Sequence, residues 1–308
     1  MVQKNIEEKA SIPIKHGTII VGKWNKNQYT IIRKIGSGMI GTVYLCRMHN
    51  NRLVALKISK QAMSLTTEVN VLKSLNKVQD NRLGPFLIDV DDWERQTGKS
   101  YSFYVMEYIN GIRMETFIRR NGAEWIGVFI IQMLEQLEGL HQSGWVFGDL
   151  KNDNLLITES PTKVRFIDVG GTTKMGRSIK EYSEFYDRAY WHLGTREAEP
   201  SYDLFALVMV ILAIYYPRHF KRSNHSKQLI LKRIAVVRDL QLYEHCLQKA
   251  ILGQYKLAGE MKADLLQTMW KRHKKENKKR AAKGNYVIQA VIISSLSGVY
   301  YLVSSLFF

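Results

Sequence analysis

Apolar and polar positions change rhythm twice along the chain. From Tyr29-Thr30-Ile31-Ile32 the first third runs in short β-branched and aromatic stretches, Thr42–Cys46, Leu53–Ser59 and Ser102–Ile109, broken by Gly, Asn and polar turns. Such stretches predict strands. Between them, Ser64 to Leu75 sets Val69, Leu72 and Leu75 at helical spacing. Residues 76–100 predict a polar loop and a strand, with Asp89, Asp91 and Asp92 read as a solvated acidic loop. Residues 115–143 are mostly helical, and Trp125, Val128, Ile131, Leu134 and Leu137 are the expected core positions. His141 closes that helix and is read as structural. Residues 170–196 are long and polar, as functional loops often are. Asp203 to Tyr216 is almost wholly apolar but too short to span a bilayer, so a buried core helix is expected there. Residues 227–270 predict further amphipathic helices, and residues 1–16 a weakly ordered lead-in. No internal repeat is evident.

Composition changes this picture at one end. The 308 residues are 45% hydrophobic and 24% charged, ordinary for a globular chain, but the net charge is +17. Residues 271–283 hold eight Lys or Arg against one Glu, and so carry much of that charge. They point to an anionic partner, either nucleic acid or a lipid surface. Residues 286–308 follow with no charge at all. At ~1.5 Å per residue that stretch reaches roughly 34 Å, enough for a bilayer core of about 30 Å. Cys46 and Cys246 stand far apart in sequence, which argues against a disulfide framework and fits a reducing cytosol. No N-terminal signal peptide is visible.

The chemistry concentrates in Val146 to Ile157, where Asp149, Lys151 and Asn154 stand at fixed offsets within a loop bracketed by apolar residues. The run Val164 to Ile167 then delivers Asp168-Val169-Gly170. This is the arrangement needed to move a phosphoryl group: Asp149 meets the incoming hydroxyl, Lys151 neutralises phosphate, and Asn154 and Asp168 hold magnesium. Upstream, Ile35-Gly36-Ser37-Gly38-Met39-Ile40-Gly41-Thr42-Val43 reads strand, glycine turn, strand. Glycines let a backbone approach phosphates. In a dinucleotide-binding fold a helix would follow the glycines, but here a second strand does. Lys57 sits amid apolar neighbours, where a buried ammonium needs a partner; Glu68 on the next helix is the expected one. The weaker alternatives are a chance glycine turn and a snorkelling edge-strand lysine.

Together these residues resemble the bacterial Hanks-type, eukaryotic-like serine/threonine protein kinases across roughly residues 28–270. More narrowly they are similar to the YabT-type kinases of spore-forming Bacillus relatives, on stretches such as Phe147-Gly148-Asp149-Leu150, Ile167-Asp168-Val169-Gly170 and Ala198-Glu199-Pro200-Ser201-Tyr202-Asp203. The resemblance implies an α+β, bilobal kinase-like fold with a β-rich N-lobe (28–108) and a helical C-lobe (109–270). An N-terminal extension (1–27), a basic juxtamembrane segment (271–285) and a C-terminal transmembrane helix (286–308) complete the organisation. It implies ATP and Mg2+ as cofactors and protein Ser/Thr hydroxyls as acceptors. Asp149 becomes the catalytic base, Lys151 stabilises the moving phosphoryl group, and Asn154 and Asp168 bind magnesium. Ile35, Gly36, Ser37, Gly38 and Gly41 cover the nucleotide, Lys57 grips its phosphates and Glu68 orients Lys57. Val43, Ala55 and Leu156 enclose the adenine, Met106, Glu107 and Tyr108 form the hinge beside it, and Thr195 belongs to the substrate loop.

Departures accompany the resemblance. Phe147-Gly148 stands where the family has His-Arg, which removes the usual clamp for a phosphorylated activation loop. Activation-loop phosphorylation is therefore not expected to be an obligatory switch. Val169 replaces the common Phe, and the Ala-Pro-Glu motif is absent as written. Asp203 follows Pro200 so closely that the usual intervening helix is expected to be missing. In the tail, Lys274, Lys275, Lys278, Lys279 and Arg280 are candidate contacts to DNA or anionic lipid, as well as a positive-inside flank that keeps the kinase domain cytoplasmic beneath a single-pass anchor in the cell membrane. Two rival functions are a small-molecule phosphotransferase of the aminoglycoside-kinase type and a pseudokinase scaffold on membrane or DNA.

Overall fold

The computed structural model describes residues 12–38, 41–75, 83–95, 98–272 and 274. The chain divides into two compact units, residues 1–262 and 263–308. The first third of the larger unit is an antiparallel sheet in the order β1-β2-β3-β4-β6-β5. Its strands are β1 (Ile19–Val21), β2 (Gln28–Ser37), β3 (Thr42–Met48), β4 (Leu53–Ser59), β5 (Leu87–Glu94) and β6 (Ser100–Glu107). Strand alternation puts Tyr44, Leu56, Phe103 and Val105 in one buried cluster. It leaves Ala55 and Lys57 in register with Met106 and Tyr104 on the opposite face. Helix α1 (Ala62–Leu75) buries Leu65, Glu68, Val69 and Leu72. It begins two residues ahead of the expected Ser64.

Two expectations for this lobe are corrected. Residues 12–27 are not all an extension outside it: β1 pairs with β2, and Ile12 and Ile20 are buried in the sheet's core. The acidic cluster is not a solvated loop either. It lies along β5, where alternation makes it a fastener for the turn after β1. Asp91 is buried and accepts the N–H groups of Trp24 (2.9 Å) and Asn25 (2.7 Å), while Asp89 accepts the Tyr29 hydroxyl. A Cβ on Gly22 would run into the Asp91 carboxylate. The signal was hidden because the partners of these acids lie some sixty residues away.

The C-lobe contains α2 (Met114–Asn121), α3 (Trp125–Gln142), α4 (Pro200–Tyr215), α5 (Ser226–Ala235) and α6 (Glu244–Ile251), and residues 258–272 are also helical. Small two-stranded pairs, β7 (Trp145–Val146) with β10 (Thr173–Lys174) and β8 (Leu155–Glu159) with β9 (Thr162–Phe166), frame the functional loops. Helix α4 is the expected core helix: Pro200 starts it, and every residue from Tyr202 to Ala213 is buried. Each fully buried Leu, Ile, Val or Phe there contributes about 1.5–3 kcal/mol. In α3 the buried stripe is Ile126, Phe129, Ile130, Met133, Leu134 and Leu137, so the expected core position Val128 is instead exposed. That helix is apolar around much of its N-terminal half, and spacing alone did not select the face. The expected transmembrane helix, 286–308, lies outside the described residues; among those described, no helix is long and apolar enough to cross a membrane.

Candidate active site

Register brings the first pair together. Lys57 sits mid-β4 opposite Tyr104 of β6, and α1 lowers Glu68 onto it. The Lys57 ammonium donates to both Glu68 oxygens, at 2.9 and 2.7 Å, and lies 3.7 Å from Asp168 Oδ1. The Tyr104 hydroxyl donates to Glu68 Oε2 at 2.8 Å, a partner that sequence reading did not single out. Burial pulls the Lys57 ammonium down, but the Asp168 and Glu68 carboxylates outweigh it and hold Lys57 above its ordinary value. A charge pair this deep survives only because each member is bonded.

The catalytic loop is held from below by α4. Asp203, wholly buried, accepts the N–H groups of Phe147 (2.7 Å) and Gly148 (2.9 Å), and His141 Nε2 lies 2.9 Å from the same carboxylate. His141 is thus structural, as expected. Phe147 fills the histidine position as an apolar plug, edge-on to Phe166 at 4.9 Å. Gly148 explains the missing arginine. Its φ is +81°, and a Cβ would sit 2.7 Å from the Gly171 carbonyl and 3.3 Å from Ile179 Cδ1. The activation segment thus packs directly against the loop at the site where an arginine would project.

Asp149 is mostly buried, and Lys151 donates to its Oδ2. Burial pushes the Asp149 carboxyl up, against the pull of Lys151. Asn154 donates from Nδ2 to the Asp149 carbonyl (2.8 Å) and to Asp149 Oδ2 (3.2 Å), which turns its amide oxygen the other way. Ile167 N–H donates to the Asn154 carbonyl at 3.0 Å, so Asp168 emerges beside Asn154. Strand β9 is aligned for this by α3: Gln132 and Gln136 bond the backbone of Val164 at 2.8 and 3.0 Å. Asp168 is about half exposed. An amide oxygen and a carboxylate are donors of the kind that suit Mg2+, with phosphate and water oxygens completing the shell. Among the described residues no group of three His, Cys, Asp or Glu forms an all-protein metal cage.

Gly36 has only the Val43 side chain near its missing Cβ and Gly38 has nothing described within 4 Å, whereas a Cβ on Gly41 would strike the Ile58 carbonyl. Among the described residues, packing demands only Gly41 of the three, and Gly36 and Gly38 leave room for a ligand. Ile35 and Ser37 are exposed on the same hairpin, Ala55 is buried, and Val43 and Leu156 are half-buried. In the hinge, Met106 is buried opposite Ala55 and Tyr108 is half-buried. Glu107 pairs with Arg165 of β9 at 2.8 Å, a tie between the lobes that was not anticipated.

No described hydrogen bond joins Thr195 to Asp149 or Lys151. Thr195 is exposed, and its carbonyl accepts Arg188 Nε at 2.7 Å. The activation segment is less open than its polarity suggests. Trp191 and Asp187 are fully buried, as are Thr172 and Thr173. Arg196 bonds Asp187 through Nε (2.8 Å) and Nη2 (2.7 Å), and Arg188 pairs with Glu199 (2.7 Å). Glu181, absent from the expected site, is half-buried within the field of Asp149 and Asp168; burial first, then those two carboxylates, push it up. Of the basic candidates, Lys274 is exposed and lies over the Trp270 ring; Lys275, Lys278, Lys279 and Arg280 lie outside the described residues.

The protein kinase domain family model matches residues 29–286. Serine/threonine-protein kinase YabT of Bacillus subtilis (strain 168) is 49% identical over 254 residues, covering 82% of this chain and 75% of that protein. The probable serine/threonine-protein kinase CPE1738 of Clostridium perfringens is 29% identical over 202 residues, 62% of this chain and 29% of that one. Among solved structures, vaccinia related kinase 3 matches with a TM-score of 0.61 over 85% of this chain and 94% of the other, at 14% identity, a likeness of fold.

Proposed function

The chain belongs to the protein kinase family, and from that premise we propose a membrane-anchored serine/threonine kinase whose basic segment meets an anionic surface. As a member of that family it uses ATP and Mg2+ and phosphorylates Ser and Thr hydroxyls of proteins. Asp149 accepts the proton of the incoming hydroxyl, aided by a carboxyl that burial has made more basic. Lys151, bonded to Asp149, steadies the charge on the phosphoryl group in transfer. Lys57 holds the nucleotide phosphates while Glu68 and Tyr104 fix its direction. Asn154 and Asp168 would hold the metal, which would supply charge neutralisation for the phosphoryl group in transfer. The protein's part is positioning and fixed charge rather than covalent chemistry. The observation that carries this reading is the meeting of Lys57 with both Glu68 and Asp168.

Residues 286–308 serve as the anchor, and Lys274, Lys275, Lys278, Lys279 and Arg280 face the anionic lipid of the cytoplasmic leaflet. The support is the uncharged length of the first and the charge of the second. Radiolabel transfer from ATP to a generic basic protein tests the chemistry: Asp149→Asn should abolish it without unfolding the chain. Transfer to small alcohols alone would turn the reading toward a small-molecule phosphotransferase. Deleting 286–308 should move the kinase from the membrane pellet to the supernatant. Neutralising the five basic residues should weaken binding to anionic vesicles; if DNA retention at low salt falls and vesicle binding does not, the segment is a nucleic-acid contact instead.

A further inference from the structure

The sheet's outer face carries a second concavity. Val43 pairs with Lys57, and Lys57 with Tyr104, on the catalytic face, so their neighbours Tyr44, Leu56 and Val105 point the other way. There the segment beginning at Ile12 lies across β3. The Tyr44 hydroxyl donates to the Ile12 carbonyl at 2.6 Å and accepts the Ile14 N–H at 3.1 Å. With both bonds made, Tyr44 is a floor. Above it is a cavity of about 580 Å³.

Three cations line this cavity: Lys15, Lys34 and Arg95. They come from separate elements, each held by its backbone. Lys15 accepts the Thr18 N–H at 3.2 Å in a turn, Lys34 lies opposite Tyr44 in the β2–β3 register, and Arg95 bonds Lys99 at 2.9 Å in the β5–β6 turn. Among the described residues none of the three has a carboxylate partner, and none of the cavity's described lining is acidic. Like charges gathered around a concave, partly apolar wall focus a positive field. A ligand of mononucleotide size fits such a volume.

We propose that this cavity is a binding site for clustered phosphate, a di- or triphosphate or a multiply phosphorylated headgroup, gripped by Lys15, Lys34 and Arg95 on the face turned away from the catalytic centre. Phosphate oxygens accept charge-assisted bonds from all three cations, and Thr18 supplies a hydroxyl at the rim. The site shares no lining residue with the catalytic cleft, so one protein should hold two phosphate ligands at once.

The test is titration calorimetry of the full chain with sodium tripolyphosphate in magnesium-free buffer, after the catalytic cleft is filled with a phosphate-free, adenine-competitive inhibitor. One site should remain. Lys34→Glu should weaken it roughly 30-fold, and Lys15→Gln or Arg95→Gln about fivefold each, a little under 1.4 kcal/mol per tenfold. Lys57→Met should leave this site intact. Lys15 and Lys34 are exposed, so Lys15→Gln and Lys34→Glu should melt like the wild type, whereas Arg95, which also donates to the Pro13 carbonyl at 3.5 Å and lies over the Trp93 ring, is read by its affinity change only beside those two. Vesicles carrying a polyphosphorylated lipid provide the second arm. Loss of vesicle binding in Lys34→Glu assigns the site to a headgroup; loss of tripolyphosphate binding alone assigns it to a free phosphate compound. Equal affinity and stoichiometry in wild type and Lys34→Glu, for both probes, would overturn the proposal.

Discussion

Lys57 and Glu68 meet across a strand and a helix, whereas Asp187 and Arg196 meet inside one loop. The first pair is open on one side: Asp168, its third member, is about half exposed, and the glycine hairpin leaves space nearby. The second is closed. Asp187 is wholly buried and accepts four hydrogen bonds, from Ala189, Tyr190, Tyr202 and Arg196 Nε, with Arg196 Nη2 a further ion-pair contact at 2.7 Å, and Arg196 also lies 3.7 Å above the Tyr182 ring. An open pair is poised for a ligand, while a closed one is finished architecture. In many kinases a phosphate and a clamp arginine order the activation segment. Here the segment supplies both signs of charge itself, and Gly148 gives up the arginine's place to the segment's own backbone.

Breaking the open pair should have the largest effect. Lys57→Met should lower radiolabel transfer by about 10²-fold or more, and leaving Glu68 buried alone should cost about 3–5 kcal/mol in a denaturant melt. Breaking the closed pair should be milder. Arg196→Ala leaves Asp187 with three donors, so a loss of about 1–3 kcal/mol is expected, with kcat/KM for a protein substrate falling roughly tenfold and limited proteolysis appearing between residues 177 and 196. A larger drop than for Lys57→Met would reverse the comparison.

If the lock is internal, removing hydroxyls from the segment should matter less still. Thr172→Ala, Thr173→Ala and Ser178→Ala should keep activity within about threefold, because Thr172 and Thr173 are inaccessible to a phosphate donor and Thr173 loses only its bond to the Gly171 carbonyl, about 1 kcal/mol. Abolished turnover in any of them would show that phosphorylation is required after all. The smallest effect lies far from either pair. Burial raises the Asp91 carboxyl, but the N–H groups of Trp24, Asn25, Asp92 and Lys23 outweigh it and hold it below the usual carboxylate range. Its stabilisation is therefore complete above that range and is lost as pH falls through the lowered folded value. Asp91→Asn should destabilise by about 1 kcal/mol at pH 7, with the difference from wild type vanishing only in strong acid.

Where a function needs several groups within one turn, it was legible. Asp149, Lys151 and Asn154 sit in one loop, so their spacing is already their geometry, and the Lys57–Glu68 pair followed from a strand leading into a helix. Legibility failed where a residue's partner is distant. Asp91 looked solvated because Trp24 and Asn25, which bond it, precede it by more than sixty positions. Val128 looked buried because one face of an apolar helix cannot be told from another until something packs on it. Arg188, Glu181 and Gln136 carry no motif.

The amino-acid order by itself determined the reactive groups and their sequence along the chain, since local backbone geometry converts spacing into shape. Only the tertiary structure decided which faces close, which carboxylates find cations, and that Gly148 must take a positive φ beneath the Gly171 carbonyl. Those outcomes depend on strand register and on contacts between segments far apart in the chain, where the free energy of burial belongs to a pair of surfaces and is written in neither one alone.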